Sequence, residues 1–144
     1  MLNLLLFLAL SASTPPAEGR WLYIGEDADG MGVIDASRVE REGDRARVLV
    51  IVALPQAIPG EGQLVQYVQE WDCPGRRYRM LDGHAFDRAV SPTVPIRRPG
   101  VWETSPEESP FDRVRGHVCE GRVLPEAGAD YRPILERFLA KQVI

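Results

Sequence analysis

The sequence predicts an α+β fold: an antiparallel sheet of about five or six strands, then a short late helix and a C-terminal helix, with one disulfide. Three observations lead there. Extended stretches with period-two alternation fill the front of the chain, helical periodicity is confined to its end, and the two cysteines, Cys73 and Cys119, sit one in each part.

The organising stretch is a hairpin over residues 63–80. Val65, Tyr67, Trp71 and Cys73 share one face of an extended strand, and Leu64 and Val68 share the other. Pro74-Gly75 marks the turn, because Pro presets φ and Gly accepts φ > 0. Tyr78 and Met80 then alternate with Arg77 and Arg79 on a strand running toward Phe86, with Gly83 as a bulge or bend. If Cys73 and Cys119 bond, they close a loop of about 47 residues, a cross-link contributing roughly 4 kcal/mol by chain entropy.

Before the hairpin, residues 20–25 (RWLYIG) predict a short strand with Trp21 and Tyr23 on one face, then a turn over 26–32 and a second strand to Asp35. Residues 39–44 read as a charged connection. Residues 45–55 (RARVLVIVALP) give the strongest strand signal. Val48, Val50 and Val52 line one face, and Leu49 and Ile51 the other, so this strand is central and covered on both sides. Residues 55–62 form a loop.

After the hairpin, the proline-rich residues 88–110 cannot be helical, and any strand among them belongs at an edge; residues 101–103 are the most strand-like. Ser109-Pro110-Phe111-Asp112 starts a helix, with Ser as N-cap, Pro at the first position and Asp in capping-box position. That helix runs to about Cys119 with an apolar stripe of Phe111, Val114 and Val118. Residues 120–128 read as a linker, and 129–142 as a second helix with Tyr131, Ile134, Leu135, Phe138 and Leu139 on one side.

The opening residues 1–13, MLNLLLFLALSAS, are too short an apolar run for a bilayer helix, which needs about 20 residues. They fit a secretory signal peptide cleaved near Ser11-Ala12-Ser13, the alternative being a retained helix or anchor. No cysteine stands there to take a lipid. Residues 14–19 are then a flexible mature N-terminus, 20–119 the β-domain, and 120–144 the linker and C-terminal helix. The expected location is exported, in the periplasm or cell envelope, with no membrane span once the signal is removed. In such a chain two cysteines argue for one disulfide, with two buried free thiols as the alternative.

A net charge of −4 and a pI near 5.2 argue against nucleic acid or anionic membrane as partner. No Cys-x₂-Cys or His-x₃-His spacing joins Cys73, Cys119, His84 and His117, so no metal or other cofactor is expected. Asp27-Ala28-Asp29-Gly30 has the start of a calcium loop, but the closing Glu position is Arg38, and the acidic pair reads as a solvated turn.

Trp21 followed by Gly32-Val33-Ile34-Asp35, Ser37, Arg41 and Gly43, then the Val-rich strand, resembles the front of the bacterial surface-adhesin protein E family. Glu70-Trp71-Asp72-Cys73, Arg77, Arg79, a late Trp102, residues 106–109 and Val118-Cys119 follow in the family's order. The resemblance covers residues 21–119. It implies an exported or envelope-attached antiparallel β-domain with a Cys73–Cys119 disulfide and, as for its namesake, binding to host extracellular matrix proteins. The chain departs from that namesake in lacking the lipid-accepting cysteine and in extending about 25 residues beyond Cys119.

These readings make the chain a non-enzymatic envelope protein that binds another macromolecule: a matrix or envelope protein, or a polyanion. Arg76, Arg77 and Arg79, with the edge strands, are the candidate partner-binding surface. The plainer reading, preferred here, pairs those arginines with Glu70 and Asp72 across the hairpin. Trp21, Trp71 and Trp102 are read as packing residues before interface anchors. The C-terminal helix is expected to dock on its own sheet, with association of copies through it or through an edge strand as the alternative. A second function is a periplasmic small-ligand-binding domain, its proline-rich loop covering an apolar pocket of Trp71, Tyr78 and Trp102. Catalysis would have to use His84, beside Asp82, Asp87 and Ser91, or His117. No nucleophile elbow or oxyanion motif accompanies them, and no catalytic residue is assigned.

Overall fold

The computed structural model describes residues 19–58, 62–86, 94–96 and 100–142. The signal segment expected at 1–13, the stretch behind it to residue 18, and residues 87–93 and 97–99, Asp87 and Ser91 included, lie outside them. The strands are β1 (Trp21–Asp27), β2 (Gly30–Asp35), β3 (Glu40–Glu42), β4 (Arg45–Ile58), β5 (Gly62–Asp72), β6 (Arg77–Phe86), β7 (Val94–Ile96) and β8 (Glu126–Gly128). The helices are α1 (Pro110–Glu120) and α2 (Arg132–Lys141), and a 3₁₀ turn spans Ala36–Arg38.

All strands join one antiparallel sheet in the order β7-β6-β5-β4-β2-β1-β8, with β3 pairing on β4 off that path. The predicted class therefore holds. The five long strands are those the alternation marks, and β3, β7 and β8 are added strands of three residues each, too short to show a period.

β4 is central, as its two apolar faces require. Leu49, Ile51 and Ala53 turn to a core shared with Trp21, Val33, Val68 and the α2 side, where Tyr131, Leu135, Phe138 and Leu139 are buried. Val48 and Val50 turn to the other core with Val65, Tyr67, Trp71 and Tyr78, closed by Val114 and Val118 of α1. Each helix buries one apolar stripe on one sheet face, and each fully buried aliphatic side chain contributes roughly 1.5–3 kcal/mol.

The helix boundaries follow from capping chemistry. Ser109 Oγ accepts from the Asp112 N–H at 3.3 Å, and the Asp112 carboxylate accepts from the Glu108 N–H at 3.0 Å. Gly121, at φ +70°, ends α1 and returns its N–H to Gly116 and His117 carbonyls. α2 begins at Arg132, later than the expected 129, because Pro133 has no N–H to donate and fits only the first turn.

Four local expectations change. The charged connection at 39–44 contains β3, which pairs Glu40 with Arg47 and Glu42 with Arg45 across the hairpin. The expected loop at 55–62 is partly strand, since β4 runs on to Ile58, opposite Gly62, after a break in register. The strand in the proline-rich stretch is β7, at the sheet edge where Pro95 costs no ladder bond, whereas 101–103 makes only an isolated bridge, Tyr78 to Glu103. The expected linker at 120–128 holds β8, which pairs with β1.

The central hairpin stands as predicted, with its faces as read. In its turn, however, the positive φ belongs to Arg76 at +52°. Gly75 is needed for close approach instead: a Cβ there would lie 2.5 Å from Asp72 Oδ2. The bulge near Gly83 is present too, with Asp82-Gly83 opposing Tyr67 and Asp82 at φ +52°.

Candidate binding surface

Of the three hairpin arginines, two lie on β6 and Arg76 lies in the turn before it. Arg77 and Arg79 lie on the face shared by Leu49 and Val68, directly across from Asp72 and Glu70. Arg77 Nε donates to Asp72 Oδ2 at 2.9 Å, and Arg79 Nη2 reaches Glu70 Oε1 at 2.6 Å. Glu70, only 3% exposed, also pairs with Arg47 at 2.6 Å and Arg45 at 3.3 Å. Burial pushes its carboxyl up, but the hydrogen bonds and charges of Arg47 and Arg79 outweigh that and hold it below the usual glutamate range. Asp72 is likewise held low, by Arg77 first and then by the Gly75 N–H.

Over this group lies Trp102, half-buried. The guanidinium carbons of Arg45, Arg77 and Arg79 stand 4.7, 4.8 and 4.7 Å from its ring centroid. The arrangement follows from the Tyr78–Glu103 bridge, which puts Trp102 on the face opposite Tyr78. The sequence offers the arginine spacing but no sign that Trp102, or Arg45 and Arg47 of β4, would join them.

Arg76 turns the other way. Burial pushes the Asp112 carboxyl of α1 up, but Arg115 holds it low, as it does Glu120, and the charge of Arg76 adds a smaller contribution to both. There Cys73 and Cys119 are bonded, with Cα atoms 5.6 Å apart, tying the hairpin turn to the end of α1. Trp21 and Trp71 are core residues. Trp21 meets Tyr131 edge-on at 4.9 Å, and Trp71 packs 5.0 Å from Tyr78 while donating to Gln69 Oε1 at 2.7 Å.

On the α1 face, between the start of that helix and the sheet, lies an open cleft of about 420 Å³. Val52, Tyr67 and Met80 form its floor and Phe111 and Tyr78 its wall, the two tyrosines meeting Phe111 edge-on at 6.3 and 5.4 Å. Asp27 and Asp29, from the β1–β2 turn, stand at its mouth. Of the pocket set expected from sequence only Tyr78 lines it. Trp71 is buried behind it, and Trp102 is on the opposite face of the sheet.

Several other singled-out residues are structural. Asp35, fully buried, accepts from Arg20 N, Ser37 N and Ser37 Oγ, and Arg41 donates to the Val118 carbonyl. His84 Nε2 sits 3.4 Å from Asp82, and His117 Nδ1 2.8 Å from the Arg122 carbonyl. Among the described residues no three His, Cys, Asp or Glu side chains are placed to hold a metal ion.

The result is a disulfide-linked antiparallel β-domain whose sheet is covered by one helix on each face and carries an arginine–tryptophan platform. A family model described as surface-adhesin protein E matches residues 21–120, and the chain belongs to that family. No curated protein and no solved structure matches it. Membership points to binding of the surface-adhesin kind rather than catalysis, and to an exported or cell-envelope setting. No described helix is long and apolar enough to cross a membrane.

Proposed function

We propose that this protein is an exported, non-enzymatic envelope domain, released from a signal peptide at residues 1–13, that binds an acidic macromolecule through the arginine–tryptophan platform. The observation that supports this most is the convergence of Arg45, Arg77 and Arg79 on one half-buried indole, with Arg45 and Arg79 paired to the buried Glu70 and Arg77 to Asp72. Cation and aromatic surface are combined there without large conformational cost on binding, as anchor residues require. Arg77 and Arg45 are the contact candidates, with side chains 45% and 41% exposed. Arg79 is committed to Glu70 and acts by positioning, and Arg76 serves the α1 side.

The test is capture of the mature protein on an immobilised sulfated polysaccharide and on an immobilised acidic matrix glycoprotein, at two salt concentrations. The Arg45→Gln/Arg77→Gln variant should lose roughly tenfold in retention while keeping its circular dichroism and thermal midpoint. Undiminished capture by the folded variant would overturn the assignment. Arg79 is the wrong residue to reverse, because a carboxylate there would face Glu70 and unfolding would mimic lost binding.

A further inference from the structure

The cleft beside α1 is independent of the platform, on the opposite face of the sheet. We propose that it is a binding site for a small amphipathic cation, an apolar chain or ring carrying one ammonium or guanidinium group.

Size is the first argument. A cleft of about 420 Å³ falls in the range of ligand sites, roughly 300–1,000 Å³. Its lining is apolar and aromatic at depth, from Val52, Tyr67, Met80 and Phe111, and acidic only at the mouth, from Asp27 and Asp29.

Charge is the second. Glu70, Asp72, Asp112, Glu120, Glu126 and Asp130 are each matched by an arginine. Asp27 and Asp29, like Glu26, Asp44, Glu103 and Glu107, have no such partner among the described residues, but they are the two that line the cleft, and Asp27 Oδ1 accepts from the Asp29 N–H at 2.8 Å. Both are exposed where this apolar cleft opens. The faces of the tyrosine and phenylalanine rings favour a cation as well.

The helix start would ordinarily favour an anion, and here that preference is met in part. Pro110 has no N–H, Ser109 Oγ takes the Asp112 N–H, and the Asp112 carboxylate takes the Glu108 N–H. Arg113, on α1, donates to the carbonyl of Ile24 and is not itself among the lining residues, although its charge stays close by. The charged residues that line the cleft itself are Asp27 and Asp29, so a carboxylate-bearing ligand of the same shape is disfavoured.

The experiment is an NMR titration of the disulfide-bonded protein with hexylammonium, hexanol and hexanoate, following the Met80 methyl and the Tyr67 and Phe111 rings. Hexylammonium should shift all three saturably, with hexanoate at least about fivefold to tenfold weaker. The Asp27→Asn/Asp29→Asn variant keeps the turn's hydrogen-bond acceptor and should abolish the preference with unchanged thermal midpoint. No saturable shift, equal shifts by all three probes, or a preference that survives the double variant would each overturn the proposal.

Discussion

Removing the Cys73–Cys119 bond tests how the hairpin and α1 are held together. The bonded residues are 46 positions apart. Closing a loop of that size removes about 14 cal/mol/K from the unfolded chain, or about 4 kcal/mol at 25 °C. A domain of this size has roughly 5–15 kcal/mol in all, so the Cys73→Ser/Cys119→Ser variant should lose a large share of its stability and melt roughly 10–20 °C lower. The folded structure should survive, because α1 keeps Val114 and Val118 in the core, the Arg41 bond to the Val118 carbonyl and the Arg113 bond to the Ile24 carbonyl. Urea unfolding of the two proteins, with far-ultraviolet circular dichroism before denaturant is added, measures this directly. The variant should also show a steeper denaturant dependence, since its unfolded chain exposes more surface. A loss below about 1 kcal/mol at equal steepness would refute the chain-entropy reasoning. Native spectra already lost without denaturant would refute it in the other direction, showing that the bond itself keeps α1 on the sheet.

Two further outcomes follow from the packing. Glu70→Gln leaves three guanidiniums around a neutral amide and should cost roughly 2–3 kcal/mol, below the full buried-pair penalty because the arginines are partly solvated. Since the folded carboxyl titrates below its ordinary value of 4.5, its stabilisation is complete above that value and is lost as pH falls through the folded one. Acid unfolding curves of the wild type and the variant should therefore converge, and parallel curves would contradict the sign. Ending the chain after Gly121 removes β8 and α2, strips Tyr131, Leu135, Phe138 and Leu139 from one sheet face, and should give a protein that binds hydrophobic dye or fails to fold. A soluble truncated form with native melting would show that face to be self-sufficient.

Much of the fold can be read from the sequence because its signals are periodic. Val48 to Val52 alternate cleanly on a strand with two cores, and Ser109 to Asp112 carry a cap whose chemistry is local. What escaped was non-local. β3, β7 and β8 hold three residues each and exist because a longer neighbour offers a ladder, which no window of their own sequence records. The same holds for the candidate sites. Arg77 and Arg79 facing Glu70 and Asp72 follows from hairpin register, so that pairing was legible. Trp102 joining them depends on one bridge to Tyr78 across a proline-rich stretch. Arg76 was grouped with its neighbours in sequence, yet it lies in the turn at positive φ, outside β6, where its charge adds a little to that of Arg115 on the α1 carboxylates. The cleft draws on five separate segments, and the acidic pair at its mouth looks in sequence like any solvated turn.

The arrangement of edges decides which surfaces are left for partners. At one side of the sheet, β6 gives Gly83, His84 and Ala85 to β7, and Tyr78 exchanges both backbone bonds with Glu103. At the other, β1 pairs with β8, its Tyr23 N–H goes to the Pro125 carbonyl, and its Ile24 carbonyl takes Arg113. The strands then exposed are three residues long, and one contains proline. Such edges resist strand addition, whether from a second copy or from a partner's extended segment. Recognition by backbone pairing is therefore disfavoured on both sides, which shifts the expectation away from the edge strands. What remains is side-chain recognition on the two faces beyond the helices: the arginine–tryptophan platform past the end of α2's coverage, and the cleft at the start of α1. On the two proposals made above, the first would offer cations to an acidic surface and the second carboxylates to a small cation, so the two faces would differ in the charge they select.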